Sequence, residues 1–291
     1  MTSNANASQQ FYLDQGYLHL KQALSHNDLE SITKCVKQAV DQHANKLLDD
    51  GKITNAYVDE SFERRLAAIY ENNDIGLRGW YPFTREQELY DLIVHPVITK
   101  HLESLLGPAF SWMGGYHLRP KLPESSLMSF PWHQDSQYYG APTQYTHLIT
   151  VWIPLVDVNE ENGCLWVIPA SHKWGLLHGE RGKDLNMRTK ENVEEKGEPI
   201  PLPMKVGDVL FLSNLTFHSS RPNQSNTVRW SIDIRYCPNP EKILLSPQEK
   251  YGYEFYFEKV TGDGKHPISL TEGKADLTYE EWSQQVVMEK P

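Results

Sequence analysis

Leu148-Ile-Thr-Val-Trp-Ile-Pro-Leu-Val156 is the stretch on which the fold turns. It is rich in β-branched and aromatic residues and nearly continuous in its apolarity, which predicts a buried strand. Asn162-Gly163 marks a turn, and Cys164 to Pro169 follows as the next strand, the two forming a hairpin or a similar tight return. Val206 to Leu212 and Thr227 to Cys237 add two further strands, the second reached through the loop Arg221 to Asn226. Short strands punctuated by turns predict a double sheet or barrel.

Upstream the pattern is helical. A polar, disordered start gives way to a short helix from Gln9 to Gly16, then a strand from Tyr17 to Lys21. Ser25 caps the next helix with Asp28 three residues on, and Leu29, Ile32, Val36 and Val40 make one apolar stripe. A further helical stretch runs from about Arg85 to Leu106, broken near His95-Pro96 and stopped by Gly107-Pro108. Downstream, Gly175 to Lys205 is charged and has little apolar period, which predicts an excursion between strands: a solvated loop, with a lid or substrate-contacting role as the alternative. The tail ends in a helix announced by the capping box Thr278 and Glu281, ahead of Trp282, Val286 and Val287. With no repeat and no linker, residues 1–291 are expected to form one domain: N-terminal helices over about 9–107, a β core over about 110–240 and a C-terminal extension over 238–291.

Composition narrows the function. A formal net charge of −10 argues against nucleic acid as partner, because backbone phosphates demand a Lys/Arg surplus. No apolar run reaches the roughly 20 residues that cross a bilayer. Met1 to Gln10 lacks the apolar segment of a signal peptide, so the expectation is a cytoplasmic protein with no membrane partner. Cys35, Cys164 and Cys237 are too scattered for a disulfide framework or a zinc cluster. Nothing in the sequence sets an oligomeric state.

The chemistry lies in His133-Gln134-Asp135. On an extended strand, residues two apart point to the same side, so this imidazole and carboxylate can reach one metal. His218 supplies a third ligand from elsewhere, and two histidines with one carboxylate leave adjacent positions open on iron(II), as in non-haem oxygenases. The spacing alone is weak: His26-Asn27-Asp28 has it too, at a helix start, and His101-Leu-Glu103 matches loosely inside a helix. Context separates them. Arg229 lies eleven residues beyond His218 on a returning strand, with Ser220 between. An arginine there can clamp a small dicarboxylate whose other end chelates the metal, and Ser220 can add a hydrogen bond.

With these residues the chain resembles the phytanoyl-CoA dioxygenase (PhyH) family of iron(II)/2-oxoglutarate oxygenases. The likeness covers roughly residues 10 to 240. It extends to Val151-Trp-Ile-Pro-Leu155, to Asn162-Gly-Cys-Leu-Trp-Val-Ile-Pro-Ala-Ser-His-Lys173, to Gly207-Asp-Val-Leu-Phe211 and to the opening Phe11-x4-Gly16-Tyr17. It implies a mainly β fold with flanking helices, a double-stranded β-helix (a cupin-like jelly roll) with the metal at its mouth. It further implies His133, Asp135 and His218 as ligands of Fe(II), and Arg229 with Ser220 as the clamp for 2-oxoglutarate. Thr150 and Trp152 are expected to line the co-substrate pocket, and Lys121, in a loop before the motif, to assist. Phe130, Gln137, Tyr138 and Tyr139 are candidates for substrate contact.

The implied reaction consumes O2 and 2-oxoglutarate, releases succinate and carbon dioxide, and hydroxylates a small-molecule substrate, with biosynthetic tailoring as the setting. Desaturation, cyclisation and epimerisation share its first step. Halogenases of this kind have a small residue where Asp135 stands, which argues against halogenation. Two other classes remain: a jelly-roll binding protein that keeps metal without turnover, and a zinc hydrolase on a cupin-like barrel. Trp132, Trp166 and Trp174 read as core, His172 as a residue ordering its turn, and His147 as a partly exposed strand opener. Gly262-Asp-Gly-Lys265 reads as a plain turn rather than a phosphate loop.

Overall fold

The computed structural model describes residues 2–71, 86–124, 129–261 and 267–285. Helix α1 (Thr2–Gln15) leads into β1 (Tyr17–Leu20), and helices α2 (His26–Asp49), α3 (Phe62–Tyr70), α4 (Gln87–Ile93) and α5 (Pro96–Leu106) follow. The β core contains β2 (Ala109–Lys121), β3 (Phe130–His133), the short helix α6 (Asp135–Tyr139), β4 (Ile149–Pro154) and β5 (Leu165–Val167). Then come β6 (Gly179–Arg181), β7 (Met187–Thr189), α7 (Val193–Lys196), β8 (Ile200–Leu202), β9 (Val209–Ser213), β10 (His218–Ser220) and β11 (Arg229–Pro238). Helix α8 (Pro247–Thr261), β12 (Ile268–Thr271), β13 (Lys274–Ala275) and α9 (Tyr279–Gln284) close the chain.

Two antiparallel sheets make a jelly roll, with helices flanking it. The larger has seven strands in the order β1-β9-β4-β11-β2-β12-β13, and the smaller has four in the order β3-β10-β5-β8. Strand β11 lies between β4 and β2 and is buried along its whole length. Its even-numbered residues, Trp230, Ile232, Ile234 and Tyr236, join the main apolar core. Trp230 stacks on Phe62 of α3 at 5.3 Å, and the Tyr236 hydroxyl donates to Ile93 O of α4 at 2.7 Å. Its odd-numbered residues point the other way, into the space between the sheets, where Arg229, Asp233 and Arg235 line a cavity.

Local signals account for the helices. Ser25 Oγ accepts from Asp28 N at 3.3 Å while the Asp28 carboxylate accepts from Ser25 N at 2.6 Å, a reciprocal cap on α2. That cap confirms His26-Asn27-Asp28 as a helix start. The stripe Leu29, Ile32, Val36 and Val40 is buried as its spacing predicts. Pro96 opens α5 and Gly107 ends it with φ +92°, a conformation that favours glycine. His101 and Glu103 lie on this helix.

Several expectations need correction. Helix α1 begins at Thr2 rather than Gln9; buried Tyr12 and a bond from Gln9 Nε2 to Ser104 O (2.5 Å) dock it on the body, a tertiary support invisible in its local composition. The strands around Leu148–Val156 and Cys164–Pro169 are not a hairpin. Strand β4 pairs with β9 and β11 while β5 pairs with β10 and β8, because the turn between them carries the chain from one sheet to the other. The segment 175–205 is no plain loop: it holds the β6–β7 hairpin, α7 and the edge strand β8. The C-terminal extension adds β12 and β13 to the large sheet, with β12 paired to β2. Thr278 and Glu281 cap α9 as expected and Trp282 is buried. Arg85, Val286, Val287 and Gly262–Lys265 lie outside the described residues.

Ile232 sits at the centre of β11, fully buried and paired with Leu118 and Ile153. Ile232→Ala is expected to cost about 2–5 kcal/mol of stability. A clear fall in thermal midpoint would register it, and an unchanged midpoint would mean that β11 is not central to the core.

Candidate functional site

His133 is the last residue of β3, and Asp135 is the first of α6. The strand therefore does not run through the motif. Gln134 between them keeps an extended backbone (φ −109°, ψ 139°), and that one residue suffices to aim both neighbours to one side. Its own side chain goes the other way and is fully buried. Nε2 donates to Gly175 O at 2.8 Å and to Leu215 O at 2.7 Å, and Oε1 accepts from Leu177 N at 2.8 Å. Gln134, which drew no attention in the sequence, thus pins the motif to two neighbouring loops.

His218 faces His133 directly across the β3–β10 pair, with ring centroids 4.2 Å apart. One donor atom from each of His133, Asp135 and His218 lies within 4.8 Å of the others. His133 Nδ1 is 2.7 Å from Pro131 O, and His218 Nδ1 is 3.0 Å from Thr216 O. A carbonyl can only accept, so each Nδ1 carries the proton and each Nε2 keeps its lone pair for a metal. Burial, reinforced by His218, pushes His133 down to about 3, so its ring is neutral. Burial works to raise Asp135, but Arg235 and the two imidazoles, with a hydrogen bond from Thr150, hold it at about 2. The Thr150 hydroxyl donates to Asp135 Oδ2 at 2.6 Å, and Arg235 Nε lies 3.7 Å from the same oxygen. Two imidazoles that turn Nδ1 to a backbone carbonyl and one carboxylate, all buried, are a fitting donor set for a divalent ion with open positions.

A cavity of about 300 Å³ lies against these three side chains. Arg229 and Ser220 line it, as do Thr150, Trp152, Phe130, Tyr138 and Tyr139. Arg229 is 1% exposed, donates from Nη1 to Ser231 Oγ at 2.5 Å, and holds its guanidinium carbon 5.5 Å from the Trp152 ring centre. Its Nε has no hydrogen-bond partner, and among the described residues no carboxylate forms an ion pair with it. Lys121 is not in a loop: it is the final residue of β2, paired with Arg229 across the sheet. Long β2 carries it into the interior, where Nζ donates to Ser220 Oγ. Burial, with Arg229 nearby, pushes the Lys121 amine down to about 6. Gly163 makes room for it: with φ +80°, a Cβ there would lie 2.9 Å from Lys121 Cε and 2.7 Å from Arg221 O.

Gln137 is removed from the substrate candidates. Its Oε1 accepts from Gln134 N at 3.1 Å and its Nε2 donates to Leu177 O at 3.1 Å, so it belongs to the scaffold rather than the cavity wall. His172 holds Leu13 O through Nε2 at 3.0 Å, and half-buried His147 meets the Tyr12 hydroxyl at 3.1 Å; both are structural. Trp132 and Trp174 pack with Ile168, Val193 and Phe217, and Trp166 packs against the main core.

Other cavity residues escaped the sequence reading. Buried Asp233 accepts from Arg119 Nε and from Arg235 Nη1 at 2.7 Å, and His117 Nδ1 lies 3.0 Å from it and 2.8 Å from Arg235 Nη1. Arg119 and His117 sit on β2 at alternate positions leading to Lys121, as Asp233 and Arg235 do on β11 after Arg229. The polar positions of Arg229-Trp-Ser-Ile-Asp-Ile-Arg-Tyr236 were the available signal. Arg181, Leu185 and Asn186 of the β6–β7 hairpin complete one wall, and Met187 N donates to the Tyr138 hydroxyl at 3.0 Å.

The family model for phytanoyl-CoA dioxygenase (PhyH) matches residues 12–231. The peroxisomal phytanoyl-CoA dioxygenase of Bos taurus is 23% identical over 238 residues, covering 78% of this chain and 66% of that protein. The human enzyme is 28% identical over 163 residues, covering 53% of this chain and 47% of that one. The chain thus spans from about half to two thirds of the mammalian relatives' length. The fold also matches the epimerase SnoN, solved in complex with Fe3+, alpha ketoglutarate and nogalamycin RO, with a TM-score of 0.54, 19% identity, and coverage of 82% and 85% of the two chains.

Thr150→Val removes the hydroxyl that holds Asp135 while preserving shape. Loss of such a support typically weakens metal binding by about 10- to 100-fold. Titration of the apo-protein with ferrous ion under anaerobic conditions checks this; wild-type affinity in the variant would show that Asp135 needs no such support.

Proposed function

The chain belongs to the phytanoyl-CoA dioxygenase (PhyH) family, and from that premise we propose that it is an iron(II)- and 2-oxoglutarate-dependent dioxygenase. In this reading it hydroxylates an unactivated C–H bond of a small metabolite or natural-product intermediate. The observation that carries the reading is Arg229: a buried guanidinium that no carboxylate among the described residues pairs with, in the same cavity as a three-donor metal set. Leaving a cation desolvated and unpaired is costly, so the site is built to receive an anion. A dicarboxylate that also chelates a metal fits both ends of the cavity.

His133, Asp135 and His218 hold the iron, whose role when bound is to activate dioxygen at the expense of 2-oxoglutarate, which leaves as succinate and carbon dioxide. Arg229 receives the distal carboxylate of 2-oxoglutarate, with Ser220 and Lys121 donating to it and Trp152 forming the adjoining wall. Thr150 fixes the Asp135 carboxylate, and Arg235 keeps it ionised. Asp135 occupies the place that a halide would need. Phe130, Tyr138 and Tyr139 lie where a substrate would approach the metal, and their rings shield it from water. Product analysis separates hydroxylation from desaturation, cyclisation or epimerisation, which share the same residues.

Incubation in air with ferrous ion, ascorbate and carboxyl-labelled 2-oxoglutarate is expected to release labelled carbon dioxide. Silence across a broad substrate panel would favour a metal-binding protein without turnover or a hydrolase. Arg229→Gln is expected to raise the KM for 2-oxoglutarate by roughly 10- to 100-fold, as for loss of a charge-assisted pair. A KM unchanged in a folded variant would remove Arg229 from the role.

Lys121 adds a pH signature. Its amine, held at about 6, is neutral in the free protein at about pH 8, and an arriving carboxylate favours the charged form. Binding of 2-oxoglutarate is therefore expected to take up as much as one proton at about pH 8. The uptake falls away as the pH drops below about 6, where the free amine is already protonated. Calorimetry in buffers of different ionisation enthalpy measures the uptake, and Lys121→Met should abolish it. Equal uptake in that variant would assign the proton elsewhere.

A further inference from the structure

Among the described residues the cavity wall carries four guanidinium groups, Arg119, Arg181, Arg229 and Arg235, against two carboxylates, Asp135 and Asp233. Bound iron(II) and the 2-oxoglutarate dianion contribute equal and opposite charge, so a surplus of two positive charges on the wall persists in the loaded cavity, before any proton taken up by Lys121 is added. The surplus stands out in a chain whose net charge is −10. Its location is specific. Arg119 and Arg235 share Asp233, and Arg229 is assigned to the co-substrate, whereas Arg181 makes its hydrogen bond to a neutral backbone carbonyl, Leu185 O, at 3.0 Å.

Arg119 and Arg181 are placed by the two aromatic rings that flank the metal ligand His133. Phe130 and Tyr138 have ring centres 6.1 Å and 5.2 Å from that imidazole. The Arg119 guanidinium carbon lies 5.0 Å from the Phe130 ring, and that of Arg181 lies 5.7 Å from the Tyr138 ring. Cation–π contacts hold the guanidinium planes while leaving N–H groups for an oxyanion. Arg181 is exposed at the mouth, and Arg119 is partly so, with 21% of its side chain accessible. Leu185 of the same hairpin adds an apolar side chain to the wall beside Arg181, next to Asn186. At about 300 Å³ the cavity is at the small end of the range for ligand sites, about 300–1,000 Å³, and it must also admit the co-substrate.

We infer that the substrate is a compact oxyanion, a carboxylate or a phosphonate with a short apolar body, whose charged group is held at the mouth by Arg181 with Arg119 beside it. This rests on the dioxygenase reading. Its apolar part then lies along Phe130, Tyr138 and Leu185, with the C–H bond to be oxidised towards His133. Binding such an anion reduces the surplus, and a neutral analogue leaves it in place.

The test uses the full chain, loaded anaerobically with ferrous ion and saturating 2-oxoglutarate, whose visible charge-transfer absorption reports the assembled site. Three pairs of probes are titrated against that band: hexanoate with hexanamide, phenylacetate with phenylacetamide, and butylphosphonate with its diethyl ester. At least one anion of the carboxylate or phosphonate arms should shift the band saturably, with half-saturation at least roughly tenfold below its neutral partner. Which arm responds distinguishes carboxylate from phosphonate. Arg181→Gln should raise that half-saturation roughly tenfold or more, whereas Lys190→Gln, which removes a charge from β7's exposed end of the same hairpin, should leave it unchanged. Equal response within each pair, no response to any anion, or equal effects of the two substitutions would each overturn the inference. Failure of the band itself to form with 2-oxoglutarate would instead sink the dioxygenase reading, and this inference with it.

Discussion

A guanidinium taken out of water with no carboxylate beside it is the constraint around which this protein is arranged. Arg229 opens the longest of the fully buried strands described, 1% exposed, its Nε without a partner. Isolated buried charge of this kind costs several kcal/mol. The surrounding structure does not relieve it with an acidic residue; it places Lys121, Ser220 and the Trp152 ring next to it instead. Lys121 is itself kept near neutrality by the same burial, which limits the cost of two cations side by side. Together they define a pocket whose natural complement is a carboxylate, and the distance from there to the metal set is the length of one small cavity.

The metal set depends on equally local devices. The antiparallel pairing of β3 with β10 puts His133 and His218 opposite one another, and a single extended residue, Gln134, brings Asp135 to the same side before α6 begins. Backbone carbonyls two residues before each histidine fix its tautomer. Thr150 reaches across from β4 to steady the carboxylate. The ligands are thus oriented by main-chain geometry, by one hydroxyl and by the loops that the Gln134 amide binds.

Much of this was legible in the residues. His133, Asp135, His218, Ser220 and Arg229 come together as their spacing and family resemblance implied, because each lies on or next to a strand whose apolar neighbours announce it. The buried charge network was not. In Arg229-Trp-Ser-Ile-Asp-Ile-Arg-Tyr236 polar and apolar residues alternate, a pattern that ordinarily marks a strand with one face in water. Here both faces are interior: the apolar one packs on helices, and the polar one lines the cavity. Only closure of two sheets around that face makes the difference, and closure is not a local property. The same holds for β4 and β5, adjacent in sequence yet divided between sheets. It holds for Gln137 too, whose neighbours suggested the cavity but whose amide is bound to Gln134 and Leu177.

The most direct measurement is a crystal structure of the chain with manganese(II) in place of iron and 2-oxoglutarate added without oxygen. The account predicts one ion bound by Nε2 of His133, Nε2 of His218 and the Asp135 carboxylate, with the keto acid chelating it and its far carboxylate on Arg229. An ion elsewhere, or a keto acid whose distal carboxylate turns away from Arg229, would contradict it.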